Sequence, residues 1–275
     1  MLTDDGPSDS EVAVWAAQAG AAVVRGRFGG ESRRFAHAGV DFSTDADFEA
    51  ERAIRAVLME HRPLDGVLGE EFGASGSSTR RWLVDPVCGT LNFAAGVPLF
   101  AVNVALEIDG AVAAAAVVDP IAQRVTWTDG ERAWQRADAG VDGAGDPDTP
   151  IEPSPSSTLV SVNLESEYPG SIGMRLLFDE GFRSRFSPRC FSTTLALSWV
   201  ADGRQAAYIT GGDLRGSVHW AAGIALCRAA GAVVTNLAGG ALHTGGHGLV
   251  AAADAETHAQ LLADLDSARQ VAEQT

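Results

Sequence analysis

Two apolar, β-rich stretches, Phe100 to Ile108 and Ala111 to Val118, are separated only by Asp109-Gly110. A two-residue Asp-Gly connection signals a tight hairpin, because its central positions need positive φ, which glycine adopts without penalty. The first half of the chain is thereby committed to an antiparallel sheet, and the sheet's apolar face needs a cover. Helical spacing provides one. From Ser8 to Arg27, Val12, Val14, Trp15, Ala19, Val23 and Val24 recur at helical intervals after a Ser8/Ser10 start signal. A second helix is predicted over Ala46 to Glu60, with Phe48, Ala53, Ile54 and Val57 on one face, and Arg81 to Asp85 is a short apolar run.

Between Ala137 and Ser157 the composition shifts to Gly, Asp, Pro and Ser, which places a domain joint near residue 150. The expectation is an N-terminal α+β domain over 1–150 carrying most site residues, and a C-terminal α/β domain over 151–275 contributing His219. In the second half the pattern predicts a strand over Thr158 to Asn163 and helices over Ser192 to Ala201 and Trp220 to Ala230. A buried strand over Gly231 to Thr235 and a closing helix over Asp254 to Ala272 complete it. Strands alternating with helices in both halves imply a layered α/β (α+β) protein.

Composition narrows the function. The 36 acidic residues outnumber 20 basic ones, and a net charge of -16 with no basic patch repels nucleic acid and anionic lipid headgroups. Every basic residue is arginine, so chemistry that needs a lysine amine, Schiff bases and the P-loop lysine included, is excluded. Cys88, Cys190 and Cys227 lie far apart, which suggests neither a disulfide framework nor a cysteine-rich zinc module. Cys190 and Cys227 read as small buried hydrophobes. The opening Met1-Leu2-Thr3-Asp4-Asp5 is acidic where a signal peptide is basic, and no apolar run reaches the roughly 20 residues of a membrane span. A reducing, cytoplasmic setting without membrane or nucleic-acid partners is expected.

Three segments carry chemistry: Asp41-Phe42-Ser43-Thr44-Asp45-Ala46-Asp47, Gly69-Glu70-Glu71, and Trp82-Leu83-Val84-Asp85-Pro86-Val87-Cys88-Gly89-Thr90-Leu91-Asn92-Phe93. In the last, an apolar strand delivers Asp85 to its end, beside the backbone N–H groups of a Pro/Gly turn, a setting for a cation and an anion together. Other acids read as background: Asp65 and Glu71 as surface carboxylates, and Asp4, Asp5 and the acids from Asp138 to Asp148 as solvated surface. His243 and His247 fall in a Gly-rich loop.

With Val118-Asp119-Pro120-Ile121 and Ala221-Ala222-Gly223, these segments resemble the inositol monophosphatase superfamily of metal-dependent phosphomonoesterases over nearly the whole chain. The family hallmark D-P-x-D-G-T-x-N-F is matched at every fixed position but one. The resemblance implies a layered αβαβα sandwich and Mg²⁺ ions held by carboxylates. It assigns a first metal to Glu70, Asp85 and the Val87 carbonyl, and water orientation to Thr90 with Asp47. It further implies an oxyanion cradle at the N–H groups of Cys88, Gly89 and Thr90, and a homodimer.

Two departures change the chemistry. Cys88 replaces the second hallmark aspartate, and His219, in Val218-His219-Trp220-Ala221-Ala222-Gly223, replaces the aspartate of W-D-x-A-A-G. Both aspartates bind the family's second metal, and a hard Mg²⁺ ion gains little from a thiol and an imidazole. The substrate pocket drifts as well, at Ser192 in Phe191-Ser192 and at Gln205 in Gly203-Arg204-Gln205-Ala206-Ala207-Tyr208, which moves the substrate away from inositol. Three functions are compatible with this pattern. The first is a repurposed enzyme acting on a small anionic molecule in a biosynthetic role, with Cys88 as nucleophile or acid/base and His219 as its base in a transfer, hydrolysis or cyclisation. The alternative is a divergent phosphomonoesterase with one divalent metal (Mg, Mn or Zn) at the first-metal site, or in a variant with Zn²⁺ held by Cys88, His219 and Asp85, and the third is a catalytically inactive binding protein.

Overall fold

The computed structural model describes residues 6–37, 41–140, 146–165, 172–244 and 247–273. The chain forms two compact units, Met1–Pro150 with Val218–Ala225, and Ile151–Ser217 with Leu226–Thr275. The segment that carries His219 therefore packs with the first unit, although sequence reading assigns it to the second half.

The first unit contains α1 (Asp9–Arg27), β1 (Arg34–Ala36), β2 (Phe42–Thr44), α2 (Asp45–His61), β3 (Gly66–Gly69), β4 (Gly73–Ser75), β5 (Arg80–Cys88) and α3 (Thr90–Ala94). There follow β6 (Ala101–Ile108), β7 (Ala111–Asp119), β8 (Arg124–Thr128), β9 (Ala133–Ala137) and β10 (Thr149–Pro150). Eight strands make one sheet in the order β10-β9-β8-β7-β6-β5-β3-β4, antiparallel except where β3 runs parallel to β5. The Asp-Gly hairpin forms as its sequence dictates: Asp109 has φ 51° and Gly110 φ 84°, the mirror-image turn that joins β6 to β7 without splaying them. Apolar side chains of α1 and α2, among them Val12, Ala17, Ile54 and Leu58, share one core with Trp82, Val104 and Val118 from the sheet.

On α2 the buried residues are Ala46, Asp47, Ala50, Glu51, Ile54 and Leu58; of the predicted face, Ile54 is buried and Val57 packs partly buried against the core, while Phe48 and Ala53 are only half-buried. Phe48 instead packs edge-on against Phe35 and Phe72, with ring centroids 5.1 and 5.7 Å away. Two acids four residues apart thus occupy the inner face, one turn above the other.

The second unit contains β11 (Leu159–Val162), α4 (Ile172–Phe178), α5 (Glu180–Arg185), β12 (Ser187–Cys190), α6 (Leu195–Ala201) and β13 (Ala207–Thr210). The last elements of the chain are α7 (Ala221–Ala230), β14 (Val233–Thr235), β15 (Leu249–Ala252) and α8 (Ala255–Glu273). Its sheet runs β12-β11-β13-β15-β14. The strand expected to be buried, β14, is half-buried because it lies at the sheet edge and pairs only with β15. Cys190 is exposed at the end of the opposite edge strand, against the expectation of a buried cysteine, whereas Cys227 is buried as expected. His243 lies in a turn, outside helix and strand.

The background acids of the first unit are structural. Asp138 is buried and accepts from Gln18 Nε2 at 2.8 Å and Arg25 at 3.0 Å, not solvated as predicted. Asp65 accepts from the Trp82 indole N–H and from Arg80, both at 2.9 Å, so it anchors β5 rather than idling at the surface. Asp148 does lie exposed, paired with Arg136, while Asp4 and Asp5 fall outside the described residues.

Candidate active site

The site is built where β5 ends. Asp85 pairs with Asn103 on β6 and Cys88 with Ala101, so three steps along β5 match two along β6. In a regular strand residues three apart point to opposite faces; the extra residue at Pro86-Val87 cancels that alternation. Asp85 and Cys88 consequently face the same way. Gly89 then takes φ 111°, and a Cβ there would lie 2.8 Å from the Leu99 carbonyl, so only glycine turns the chain into α3.

Asp85 is fully buried. Its Oδ2 meets His219 Nδ1 at 2.8 Å and Asn103 Nδ2 at 3.4 Å, while its Oδ1 is buried with no hydrogen-bond partner. Donor atoms of Asp85, Cys88 and His219 all lie within 4.8 Å of one another. Glu70 lies across the same cluster, its Oε1 4.0 Å from His219 Nε2. Burial, and then the charge and hydrogen bonding of Asp85, hold the Glu70 carboxyl far above the ordinary range. His219 is pulled down by burial, but the charge and hydrogen bond of Asp85 outweigh this and raise its pKa.

The first turn of α2 supplies a second cluster. Thr44 donates its backbone N–H and its hydroxyl to Asp47 Oδ2, at 2.8 and 2.5 Å. The other Asp47 oxygen accepts from Thr90 Oγ1 at 3.0 Å, and the same hydroxyl lies 2.9 Å from the Val87 carbonyl. Burial raises the Asp47 pKa despite these hydrogen bonds.

Two features were not predicted. Glu51, fully buried on α2, accepts the Glu71 N–H at 2.7 Å and pairs with Arg55 at 2.7 Å, which fixes the loop that presents Glu70. Gly69 makes room for it, since a Cβ there would lie 1.9 Å from Glu51 Oε1. Glu71, read as background, accepts from Ser43 Oγ at 2.7 and 2.8 Å, and Ser43 in turn lies 2.6 Å from His37 Nε2. The only sequence signal for Glu51 is its i, i+4 spacing from Asp47 on a face that should be apolar.

Ser192 and Gln205 belong to the second unit. There Ser192 donates to Glu165, and buried Gln205 accepts from Ser161 Oγ at 2.6 Å. The first unit alone brings together Glu70, Asp85, Cys88 and His219, with Asp47, Gly89 and Thr90 beside them in the chain's local turns.

Known proteins resemble this chain in sequence and fold. A model described as the inositol monophosphatase family matches residues 8–270. The probable inositol 1-monophosphatase ImpA of Mycobacterium tuberculosis is 35% identical over 216 residues, 73% of each chain. A histidinol-phosphatase of the same organism is 48% identical over 102 residues, a match spanning 37% of this chain and only 38% of that protein. Among solved structures, the extragenic suppressor protein SuhB from Bartonella henselae has a TM-score of 0.77 at 26% identity, covering 92% of this chain and 96% of that one. The IMPase of Thermotoga maritima has the same TM-score of 0.77 at 19% identity, covering 94% and 97%, a likeness of fold. The layered α/β sandwich expected from the sequence is the fold these structures share.

Proposed function

The chain belongs to the inositol monophosphatase family, and from that premise we propose that it hydrolyses a small phosphate monoester with a divalent ion held by Glu70, Asp85 and the Val87 carbonyl. The observation that carries this reading is the pair of neighbouring carboxyl groups, Glu70 and Asp85, one of them with an oxygen buried and unpartnered. Two such groups repel in a low-dielectric setting, and a hard divalent cation with oxygen ligands relieves both the repulsion and the orphaned lone pairs. An ion bound there supplies positive charge that polarises a phosphate oxygen.

The chain's own groups then position water. Thr90 Oγ1, shared between Asp47 and the Val87 carbonyl, can turn from one acceptor to the other, and Asp47 takes up the proton that the hydroxyl relays. The relatives are named for monoester hydrolysis, which supports hydrolysis over the transfer or ring closure also considered from Cys88 and His219. Their names make inositol 1-phosphate and histidinol phosphate the first esters to test.

The test is inorganic phosphate released from a panel of such esters with Mg²⁺ or Mn²⁺. Turnover is expected, with Glu70→Gln reducing it by about 100-fold while retaining its circular dichroism. A folded protein that releases phosphate from no ester under either ion would overturn the proposal.

A further inference from the structure

The position at which the family pattern places a second Mg²⁺ ion does not suit Mg²⁺ in this chain. Its donors are one carboxylate, one thiol and one imidazole, from Asp85, Cys88 and His219. Mg²⁺ requires near-octahedral oxygen ligation, whereas sulfur and nitrogen donors suit Zn²⁺, which accepts four ligands in tetrahedral array. We propose that Asp85, Cys88 and His219 form a zinc-binding site, with its fourth position open.

Four observations support it. The three donor atoms lie within 4.8 Å of one another, and a tetrahedral zinc ion spaces its N and S ligands by roughly 3.5 Å, so modest side-chain rotation suffices. The extra residue in β5 turns Cys88 to the same side as Asp85. Asp85 keeps one buried oxygen without a partner. Cys88 and Asp85 are both buried, while His219 is part exposed and leaves an entry path on its side. The site deepens the hydrolase reading, because it adds an ion beside the one held by Glu70 and shares Asp85 with it.

The test uses metal binding and does not require turnover. The full chain, freed of metal with a chelator, is titrated with Co²⁺, a spectroscopic substitute for Zn²⁺. Expected are the intense visible bands of a tetrahedral ion and a sulfur-to-cobalt charge-transfer band in the near ultraviolet, both bleached by one equivalent of Zn²⁺ but not by excess Mg²⁺. Cys88→Ser removes the charge-transfer band, and His219→Ala weakens uptake at least about tenfold. Cys190→Ser, which changes an exposed thiol, leaves the band intact. Pale octahedral cobalt, or a charge-transfer band that survives Cys88→Ser, overturns the zinc site. Should Cys88→Ser fail to fold, X-ray absorption of the zinc-loaded natural chain decides: one sulfur scatterer is expected, and none refutes the proposal. Phosphate release with Mg²⁺ but no cobalt–sulfur band sinks the zinc site alone, and the band without phosphate release sinks the hydrolase reading alone.

Discussion

Thr90 has one hydroxyl hydrogen and two acceptors, Asp47 Oδ1 at 3.0 Å and the Val87 carbonyl at 2.9 Å. Thr90→Val keeps the shape and removes the hydrogen. Loss of a hydrogen bond to a buried carboxylate costs about 1.5–3 kcal/mol, while loss of a proton-relaying group slows a reaction about 100-fold. Initial rates and urea unfolding measured on one preparation should therefore separate: phosphate release collapses in a protein that is destabilised but still folded. Equal rates for variant and natural protein would remove Thr90 from the reaction. Gly89→Ala should act on the backbone instead, lowering stability by about 1–3 kcal/mol, because it combines positive φ with a Cβ 2.8 Å from the Leu99 carbonyl. Thermal unfolding reads that loss directly. Single residues were legible where a motif names them, as with Asp85 and the departures at Cys88 and His219. Asp138 and Asp65 were misread because what buries a carboxylate is its partners. Gln18 lies 120 positions from Asp138, and nothing local reveals their pairing.

At the scale of elements, α1 begins where its start signal says. Ser8 Oγ accepts from the Glu11 N–H at 3.2 Å while the Glu11 carboxylate accepts the Ser8 N–H at 2.8 Å, a reciprocal cap on two otherwise unpaired donors. Ser8→Ala should cost about 1 kcal/mol in urea unfolding, and Ser8→Asp should restore most of it. A cost near zero would mean that packing of α1 on the sheet already sets its first turn. Hairpin β6–β7 and both long helices of the first unit were readable because each bears a complete local signal, a turn pair or an apolar period. The buried face of α2 was not, since Asp47 and Glu51 sit where periodicity calls for apolar side chains. Those positions serve the site rather than the core, and a hydrophobicity pattern cannot distinguish the two. The slip in register at the end of β5 was equally hidden, because it is a relation between two strands.

For the molecule as a whole, acid should act through more than its excess of carboxylates. In the second unit, His258 lies 2.7 Å from the Thr235 hydroxyl, and burial holds its pKa below the ordinary 6.5. The folded chain prefers neutral His258, while the unfolded chain takes up the proton more readily. Its contribution is therefore complete above about pH 6.5 and lost as pH falls through the depressed folded value. Glu70 and His219, with raised pKa values, act in the opposite direction over the same window, so the His258 contribution is read as a difference: between about pH 7.5 and pH 5.5 the unfolding temperature of His258→Gln should fall less, or rise more, than that of the natural chain. An unchanged slope would assign the acid sensitivity elsewhere. Among the described residues, no helix is long and apolar enough to cross a membrane. The return of Val218–Ala225 to the first unit sets an order of assembly. Asp85 and Cys88 leave the ribosome long before His219, which is 134 positions beyond Asp85. A nascent chain carries two of the three donors through most of its synthesis and gains the third only when a late segment comes home. Cutting the gene at residue 150 would thus yield a fragment missing part of its own interior, and full affinity for zinc would report that synthesis had passed the point of return.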